Sequence, residues 1–557
     1  MSKSAAPSEP NNRLDITGAR LPGTLRESWH AATRPGYAIP VAVFLLLSVM
    51  LTGLKVIRNQ DFQGDTAIFF QLTENIANRG VPVSQVFANT QGYLESHLLS
   101  MPADQMAKNP LAPPAAVERN MLSFHAYFIL YPIAVLAKFL SPEIVLLSLY
   151  VLSFTGMLLL AYFTLRRHNL PVAAAAIFCL LVVSHPAWSE SLLWGQIHPD
   201  RYFMFAGFLF MCLASRERTS RIAFIATALL CLSINERAAI VAGGFLLLQV
   251  LLYWGDQKGD RTFRLALSIG LLLAGVLILK LMISNEYYST FLPTNVGQLL
   301  GEFQSPAFAE KARLFLLVNS PLLIVALFDW RAAMIAAVLM LPNLVGNFGG
   351  AEKIGWSTSY HSYYFPALVW AALMGYAAAF RKATAIKRVG AFYVAAACVA
   401  LFLSMIGPYS FATPSISPAN ISNTFLVKFP QQVNLYLNRD GLQWAARGDE
   451  VRQAIPEGSI VSTPEALMPY LYHDRTIREL PVGIDRADYA VLTIVRNKND
   501  TLTYGGVTTF LGPAEETKIN RLIVARMKKD GYDFAHPTFL PDFPSFAVLK
   551  RDHGASG

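Results

Sequence analysis

The sequence predicts a polytopic α-helical membrane protein with about eleven transmembrane helices and a small C-terminal α/β domain outside the membrane. Hydrophobic residues make up 54% of the 557 residues, charged residues make up 15%, and the mean hydropathy is +0.38. A soluble chain needs more charge to cover its surface, so this composition is typical of a chain embedded in a bilayer. The net charge of +9 comes from basic residues in short loops between apolar stretches. That pattern indicates membrane topology and argues against nucleic acid as a partner.

Eleven stretches are apolar enough to be transmembrane helices, each of which needs roughly 20 residues. The predicted spans are 37–57, 143–165, 171–187, 201–215, 222–235, 237–254, 263–284, 312–328, 331–348, 362–380 and 389–407. Basic residues cluster in alternate loops and in the tail 1–36, and by the positive-inside rule that side is cytoplasmic. We therefore expect a cell (inner) membrane protein whose bundle covers 37–407 and whose residues 408–557 lie outside.

The segment 121–140 is also long and apolar enough to cross the bilayer. If it did, every later basic loop would lie outside the membrane, against the positive-inside rule. The positions of the basic loops therefore predict a helix that lies along the outer membrane surface and bends at Pro132. Ser141-Pro142-Glu143 then predicts the start of the next helix, with a serine cap, a proline at the first position and an acidic first turn. The first outer loop is consequently very long, 58–142, and contains a predicted helix from Asp65 to Arg79 that ends at Gly80.

The tail 408–557 differs in character from the bundle, because GSIVST and DYAVLTIV are typical of short buried strands. The four cysteines all lie within apolar stretches, which favours small buried side chains over a disulfide framework.

Polar residues near the membrane are costly, so they are candidates for function. In this chain they gather at the outer ends of the predicted spans. They are Asp65, His125, His198, Asp200, Arg201, Glu236, Arg237 and His361. The cytoplasmic loops carry little besides lysine and arginine, and this one-sidedness predicts a site at the outer face.

Each of these residues also has a structural interpretation. Asp65 could cap its helix, Glu236 and Arg237 could pair to close a helical hairpin, and His198 and Asp200 could be turn residues. A single interfacial histidine such as His125 or His361 is often an ordinary hydrogen-bonded residue. The His-x-Asp spacing is compatible with a divalent metal ion, although two ligands are a weak signal, and no other cofactor is indicated.

Several of these motifs resemble the DUF2079 family of predicted membrane proteins. The matching features are Asp65-x5-Gln71, His125 with Pro132, His198-Pro199, and Glu236 between later spans. The post-membrane segment IPEGSIVSTPEALMPYLYHDRTIRELP is also similar, and the resemblance covers about residues 58–495.

That family in turn resembles the GT-C superfamily of membrane glycosyltransferases, which share a first span, a large outer loop, a bundle and an outer C-terminal domain. The resemblance implies a hexosyl- or pentosyltransferase whose donor is a polyprenyl-phosphate-linked sugar, with membrane lipid around it and an unnamed acceptor. It also implies that Asp65, the acidic residue in the first outer loop, is the catalytic base or a metal ligand. The other seven residues are proposed for substrate binding from topology alone.

Two other functions fit the same composition. A transporter or flippase of a lipid-linked substrate would need polar residues near the membrane midplane and often an inverted repeat, and neither is apparent in the sequence. A non-catalytic assembly protein would bind its partner through the tail, but it would not need the outer acidic and basic cluster.

Overall fold

The structure is a computed structural model that describes most of the chain. The described residues are 35–58, 64–88, 101–108, 118–194, 197–216, 219–254, 260–283, 306–345, 360–405, 439–496, 502–507, 513–540 and 545–552, with a few single positions between 297 and 304. The predicted cytoplasmic tail therefore lies almost entirely outside the described residues, as does the predicted beginning of the C-terminal domain.

Helices account for most of the described residues. The helices of the N-terminal part are α1 (Pro35–Arg58), α2 (Gly64–Arg79), α3 (Ala103–Met106), α4 (Leu130–Ala137), α5 (Pro142–Arg167), α6 (Val172–Ser184), α7 (Pro186–Trp194), α8 (Phe203–Ala214), α9 (Arg221–Ile234), α10 (Glu236–Leu252), α11 (Arg261–Leu281), α12 (Pro306–Ala326), α13 (Trp330–Val345), α14 (Phe365–Ala385) and α15 (Val389–Met405). Those of the tail are α16 (Arg439–Ala454), α17 (Met468–Leu471) and α18 (Pro513–Lys529). The strands are β1 (Val83–Ser84), β2 (Arg119–Asn120), β3 (Ile460–Thr463), β4 (Thr476–Glu479), β5 (Tyr489–Arg496), β6 (Leu502–Gly505), β7 (Thr538–Leu540) and β8 (Phe546–Lys550).

Every predicted span overlaps a helix, but within the described residues four helical segments are long and apolar enough to cross a membrane on their own. They are Ala38–Val56, Pro142–Arg167, Arg261–Leu281 and Phe315–Leu344. The bent pair α6 and α7, which meet at 74° around His185, brings the number to five if it forms one span. The chain is therefore membrane-embedded, and helix length and composition support fewer spans than the eleven predicted.

The prediction of one continuous helix over 121–140 is wrong. Residues Met121–Ser123 form a 3-10 turn, and α4 has eight residues, so it is about 12 Å long and too short to cross a bilayer. Backbone groups between these two pieces bond elsewhere: Ile129 N donates to Ser233 O at 2.6 Å. Pro132 lies in the first turn of α4, where its missing N–H costs nothing, so it begins the helix and does not bend it.

Local signals located three other helix ends correctly. Helix α2 ends before Gly80, whose φ of +72° suits a residue without a side chain and whose N–H donates to Ile76 O. Ser141 caps α5, with Pro142 at the first position. Asn235 separates α9 from α10 and accepts a hydrogen bond from Ala238 N at 2.8 Å.

The tail contains a six-stranded mixed sheet with the order β4-β3-β5-β8-β7, and β6 pairs with β5. β3 is parallel to both β4 and β5, whereas β8 is antiparallel to β5 and β7. The two strands predicted from GSIVST and DYAVLTIV are β3 and β5. The domain boundaries themselves remain a prediction.

The tail packs against the first outer segment. Ala103 N, at the start of α3, donates to Glu515 Oε2 on α18 at 3.2 Å, and Met106 is buried in the tail core. Gln85 Nε2 donates to Arg475 O at 2.7 Å. The segment between α1 and α5, which is the predicted first outer segment, therefore forms part of the surface on which the tail packs.

Candidate functional site

The site begins at the first turn of α2, where Asp65 is half-buried. The helix starts at Gly64, so Asp65 lies inside the first turn, where a negative charge interacts favourably with the helix dipole. No side-chain hydrogen bond joins Asp65 to another described residue, so its carboxylate is not used as a cap by the described backbone. The neighbouring hydroxyl of Thr66 accepts a hydrogen bond from Ile197 N at 3.3 Å, which holds α2 beside the loop that precedes α8.

That loop contributes His198 and Asp200, which form a pair. Nδ1 of His198 lies 3.2 Å from Oδ2 of Asp200, and the other oxygen, Oδ1, accepts a hydrogen bond from Asn235 Nδ2 at 2.5 Å. Because an ionised carboxylate can only accept, Nδ1 of His198 carries a proton. The His198 ring packs edge-on against Phe69 of α2, with the ring centroids 4.8 Å apart. Asn235 thus holds the Asp200 side of the pair, and Phe69 holds the His198 side.

A second histidine–carboxylate pair lies beside the first. Nδ1 of His125 is 3.1 Å from Oε1 of Glu236, and Ala126 N donates to Oε2 at 3.2 Å, so both oxygens of this fully buried carboxylate are engaged. Nε of Arg237 lies 3.9 Å from Oε1, a longer and weaker contact. Its guanidinium stands 5.9 Å from the centroid of the Tyr363 ring. The Glu236–Arg237 pairing is therefore one part of a larger network.

Burial and the charged groups of these two pairs determine the pKa of Asp65. Burial raises its pKa above the ordinary value of 3.8; His198 and His125 act to lower it, and Asp200 acts to raise it. Burial alone would also raise the pKa of Asp200, but His198, His125 and Arg237 act to lower it, and the net result is a pKa well below its usual range. Asp200 is therefore anionic, whereas the carboxylate of Asp65 has an increased proton affinity. A raised pKa suits a carboxylate that has to accept a proton.

Arg201 and His361 form a separate buried layer behind this cluster. Both side chains are fully buried; Arg201 Nη1 is 3.4 Å from His361 Nε2, which also lies 2.7 Å from Ser191 Oγ. Since arginine can only donate, Nε2 of His361 accepts and the ring is neutral. Burial and the charge of Arg201 lower the pKa of His361 well below its ordinary value, which agrees with a neutral ring.

A lysine of the first helix joins this layer. Nζ of Lys55 lies 5.1 Å from the centroid of the Tyr150 ring and donates to Leu193 O at 3.3 Å. The guanidinium of Arg201 stands 5.7 Å from the same ring. Two cations therefore share one aromatic ring, an arrangement that stabilises desolvated positive charge.

The exposed surface differs among the predicted residues. The side chains of His125, His198 and Arg237 are 10%, 16% and 20% exposed, and Asp65 is half-buried. Asp200, Arg201, Glu236 and His361 have almost no exposed surface. The structure thus brings Asp65, the two histidine pairs and Arg237 together, and it buries the side chains of Arg201 and His361.

Four members of the site were not predicted as such. Asn235 is the last residue of the predicted span 222–235, and its side chain also donates to Asp200 and to the hydroxyl of Tyr363. Tyr127, whose hydroxyl is 3.4 Å from His198 Nε2, carries no separate signal within its apolar surroundings. Tyr363 is visible in the sequence as a polar residue of the loop before α14, two positions after His361, but no role was proposed for it. Lys55 could have been found, since it is a lysine within an otherwise apolar stretch.

The donor set does not fit a divalent metal ion. Among the residues that the structure describes, no three His, Cys, Asp or Glu side chains are grouped to hold one. Both oxygens of Asp200 and of Glu236 already bind protein donors, and Nδ1 of His198 faces Asp200. We therefore assign no step to a metal.

Comparison with solved structures gives distant matches. The structure of ArnT from Cupriavidus metallidurans bound to undecaprenyl phosphate is 12% identical, covers 93% of this chain and 99% of its own, and has a TM-score of 0.45. The apo structure of the same protein is 14% identical, covers 85% of this chain and 99% of its own, and has a TM-score of 0.40. No curated protein matches the chain.

The family model described as "Predicted membrane protein (DUF2079)" matches residues 65–501. The match begins at Asp65 and extends through β5 of the tail, so it includes every residue of the candidate site except Lys55. It confirms the resemblance found in the sequence motifs, and the chain belongs to the DUF2079 family of predicted membrane proteins.

Proposed function

We propose that this protein is a membrane glycosyltransferase that takes a sugar from a polyprenyl phosphate at the outer membrane face, with Asp65 as the catalytic base. The observation that carries the proposal is the state of Asp65. It is a half-buried carboxylate with a raised pKa, and it has no hydrogen bond to another described residue, whereas the neighbouring Asp200 and Glu236 use both oxygens.

The reaction would be a direct displacement. Asp65 accepts the proton of the acceptor hydroxyl while that oxygen forms a bond to the anomeric carbon. The bond from this carbon to the phosphate oxygen breaks, the polyprenyl phosphate leaves with the electron pair, and the configuration inverts. General base catalysis of this kind contributes roughly 10² to 10⁴ in rate.

Arg237 is the partner for the leaving phosphate that the geometry favours. Its side chain is 20% exposed, and a guanidinium can bind two phosphate oxygens at once. Arg201, which the sequence suggested equally, is fully buried against Tyr150 and His361, so its role would be to support the site. The two histidine pairs would fix the positions of the groups around the acceptor.

The same proposal includes the orientation and the finer topology. Eleven spans, a cytoplasmic N-terminus and an outer domain within 408–557 place Asp65 and Arg237 at the outer face, where the phosphate of a lipid-linked donor lies. The support for this is the alternation of basic loops in the sequence and the packing of the tail on the first outer segment.

The test is mass spectrometry of surface glycans and polyprenyl-phosphate sugars in cells with the gene, without it, and with Asp65→Asn. We expect deletion to remove a sugar from a glycan and to accumulate its lipid-linked donor, and Asp65→Asn to reproduce that change at normal expression. Asp260→Asn, the same chemical change beside Arg221 away from the site, is the matched control and should behave as wild type. If deletion changed no glycan, the transporter would be the better explanation; if Asp65→Asn were fully active, Asp65 would not be the base.

A further inference from the structure

Two opposite faces of helix α2 contact different parts of the protein. At 100° per residue, Glu74 lies about 180° around the helix from Asp65. Asp65 faces the candidate site, whereas the opposite face meets the tail, where Gln71 Nε2 donates to Tyr472 O at 3.4 Å. The side-chain oxygen of Gln71 also accepts hydrogen bonds from Ser84 Oγ at 2.6 Å and from Val86 N at 3.1 Å.

A tail histidine bridges two carboxylates on this second face. Nδ1 of His473 lies 3.0 Å from Oε1 of Glu74 on α2, and Nε2 lies 3.4 Å from Oε1 of Glu143 at the start of α5. The neighbouring Tyr472 hydroxyl also donates to Glu143. When both ring nitrogens face carboxylates, each must carry a proton, so the bridge requires a cationic imidazole.

We infer that His473 is a positioning residue that clamps α2 against α5 and thereby fixes Asp65 in the candidate site. The role of Asp65 in this inference rests on the proposed function, but the clamp itself does not. The separation in sequence between Glu74 and His473 is 399 residues, so the contact joins the tail to the helix that carries Asp65.

The clamp is pH-dependent. Burial alone would lower the pKa of His473, but hydrogen bonds to Glu143 and Glu74 outweigh it and raise the pKa from 6.5 to about 9. A raised pKa in the docked state means that the stabilisation is complete below pH 6.5 and is lost as the pH rises through about 9. The charged or titratable groups around the ring are Glu74, Glu143 and Tyr472, together with Asp474 and its partner Arg452 of α16.

The experiment is hydrogen–deuterium exchange of the full-length protein in detergent, followed by mass spectrometry of peptides that cover 64–79. At pH 7, His473→Gln should accelerate exchange across α2 about tenfold, the effect expected of two partly exposed ion pairs. His473→Lys, which stays cationic, should retain the wild-type protection. His536→Gln is the matched control, because His536 pairs with Asp533 within the tail alone, and α2 should be unaffected.

A pH series on the wild-type protein is the second measurement, and it does not depend on whether a variant folds. After correction for intrinsic exchange, α2 protection should fall as the pH rises through about 9, and His473→Lys should abolish that fall. Unchanged exchange in His473→Gln, an equal effect of His536→Gln, or a flat pH series would each overturn the clamp. If the exchange results hold while Asp65→Asn remains fully active, the proposed base fails and the clamp stands.

Discussion

The imidazole of His125 binds the carboxylate of Glu236 with 3.1 Å between Nδ1 and Oε1, across 111 residues of sequence. The contact joins the segment after β2 to the first turn of α10. Ile129 N donates to Ser233 O at the end of α9, so the same segment is attached on both sides of the α9–α10 break. The segment between β2 and α4 is thereby attached to the α9–α10 hairpin at two points.

This network predicts that Glu236→Gln destabilises the protein. The amide cannot accept at both terminal atoms, so either His125 or Ala126 N loses its buried partner. We expect a loss of about 1–3 kcal/mol in the free energy of unfolding, measured by thermal unfolding in detergent. Glu450→Gln, which breaks a partly exposed pair with Arg447, should leave the unfolding temperature nearly unchanged. Equal unfolding temperatures for the two variants would show that the network contributes little.

The charges around Asp65, the proposed base, predict that substitutions of Asp200 and of His198 shift the pH dependence of activity in opposite directions. A base works when deprotonated, so kcat/KM should fall as the pH drops through the raised pKa of Asp65. Asp200 raises that pKa and His198 lowers it. In Asp200→Asn the acid limb should therefore move to lower pH, and in His198→Gln it should move to higher pH. The measurement is a pH series of glycosyl transfer, and shifts in the same direction would contradict this account.

Tight helix packing gives a prediction outside the site. A Cβ at Gly375 on α14 would lie 2.1 Å from Val325 O and 2.7 Å from Ala326 Cα, both backbone atoms of α12. Gly375→Ala should therefore separate the two helices and cost about 1–3 kcal/mol, seen as a lower unfolding temperature in detergent. Gly270→Ala is the control, because a Cβ at Gly270 meets nothing within 4 Å. A destabilisation equal to that of the control would contradict the packing argument.

The topology predicts where reporters function. A reporter fused after Gly557 should behave as exported, and one fused near Lys382 should behave as cytoplasmic, because the proposed arrangement has an odd number of spans between the N-terminus and the tail. Fusions to a periplasmic and to a cytoplasmic reporter enzyme measure both positions. Finding the two sites on the same side would exclude the eleven-span arrangement.

Local chemistry explains what could be predicted from the sequence. The limits of α2, the serine cap of α5 and the break at Asn235 depend on a few neighbouring residues, and each was located correctly. The prediction of polar residues at the outer ends of helices likewise found six residues that lie together. Their pairing was not predictable, because which histidine meets which carboxylate depends on how distant segments pack.

The features that the sequence did not predict also depend on how distant segments pack. A continuous helix over 121–140 was expected because its residues are apolar, yet Ala126 N and Ile129 N donate to Glu236 and Ser233 in place of helical carbonyls. His473 was not singled out at all, since its two partners lie in other parts of the chain.

The order of strands in the tail has a consequence for biosynthesis. β8 lies between β5 and β7, although it is the last of the three to be made. Until residues 546–550 have been synthesised, one edge of β5 has no partner and β7 has no sheet to join. A newly made tail would therefore present an open, apolar strand edge, the kind of surface that chaperones bind. Loss of the last strand would leave that edge permanently exposed and make the protein prone to aggregation, even with the membrane part intact.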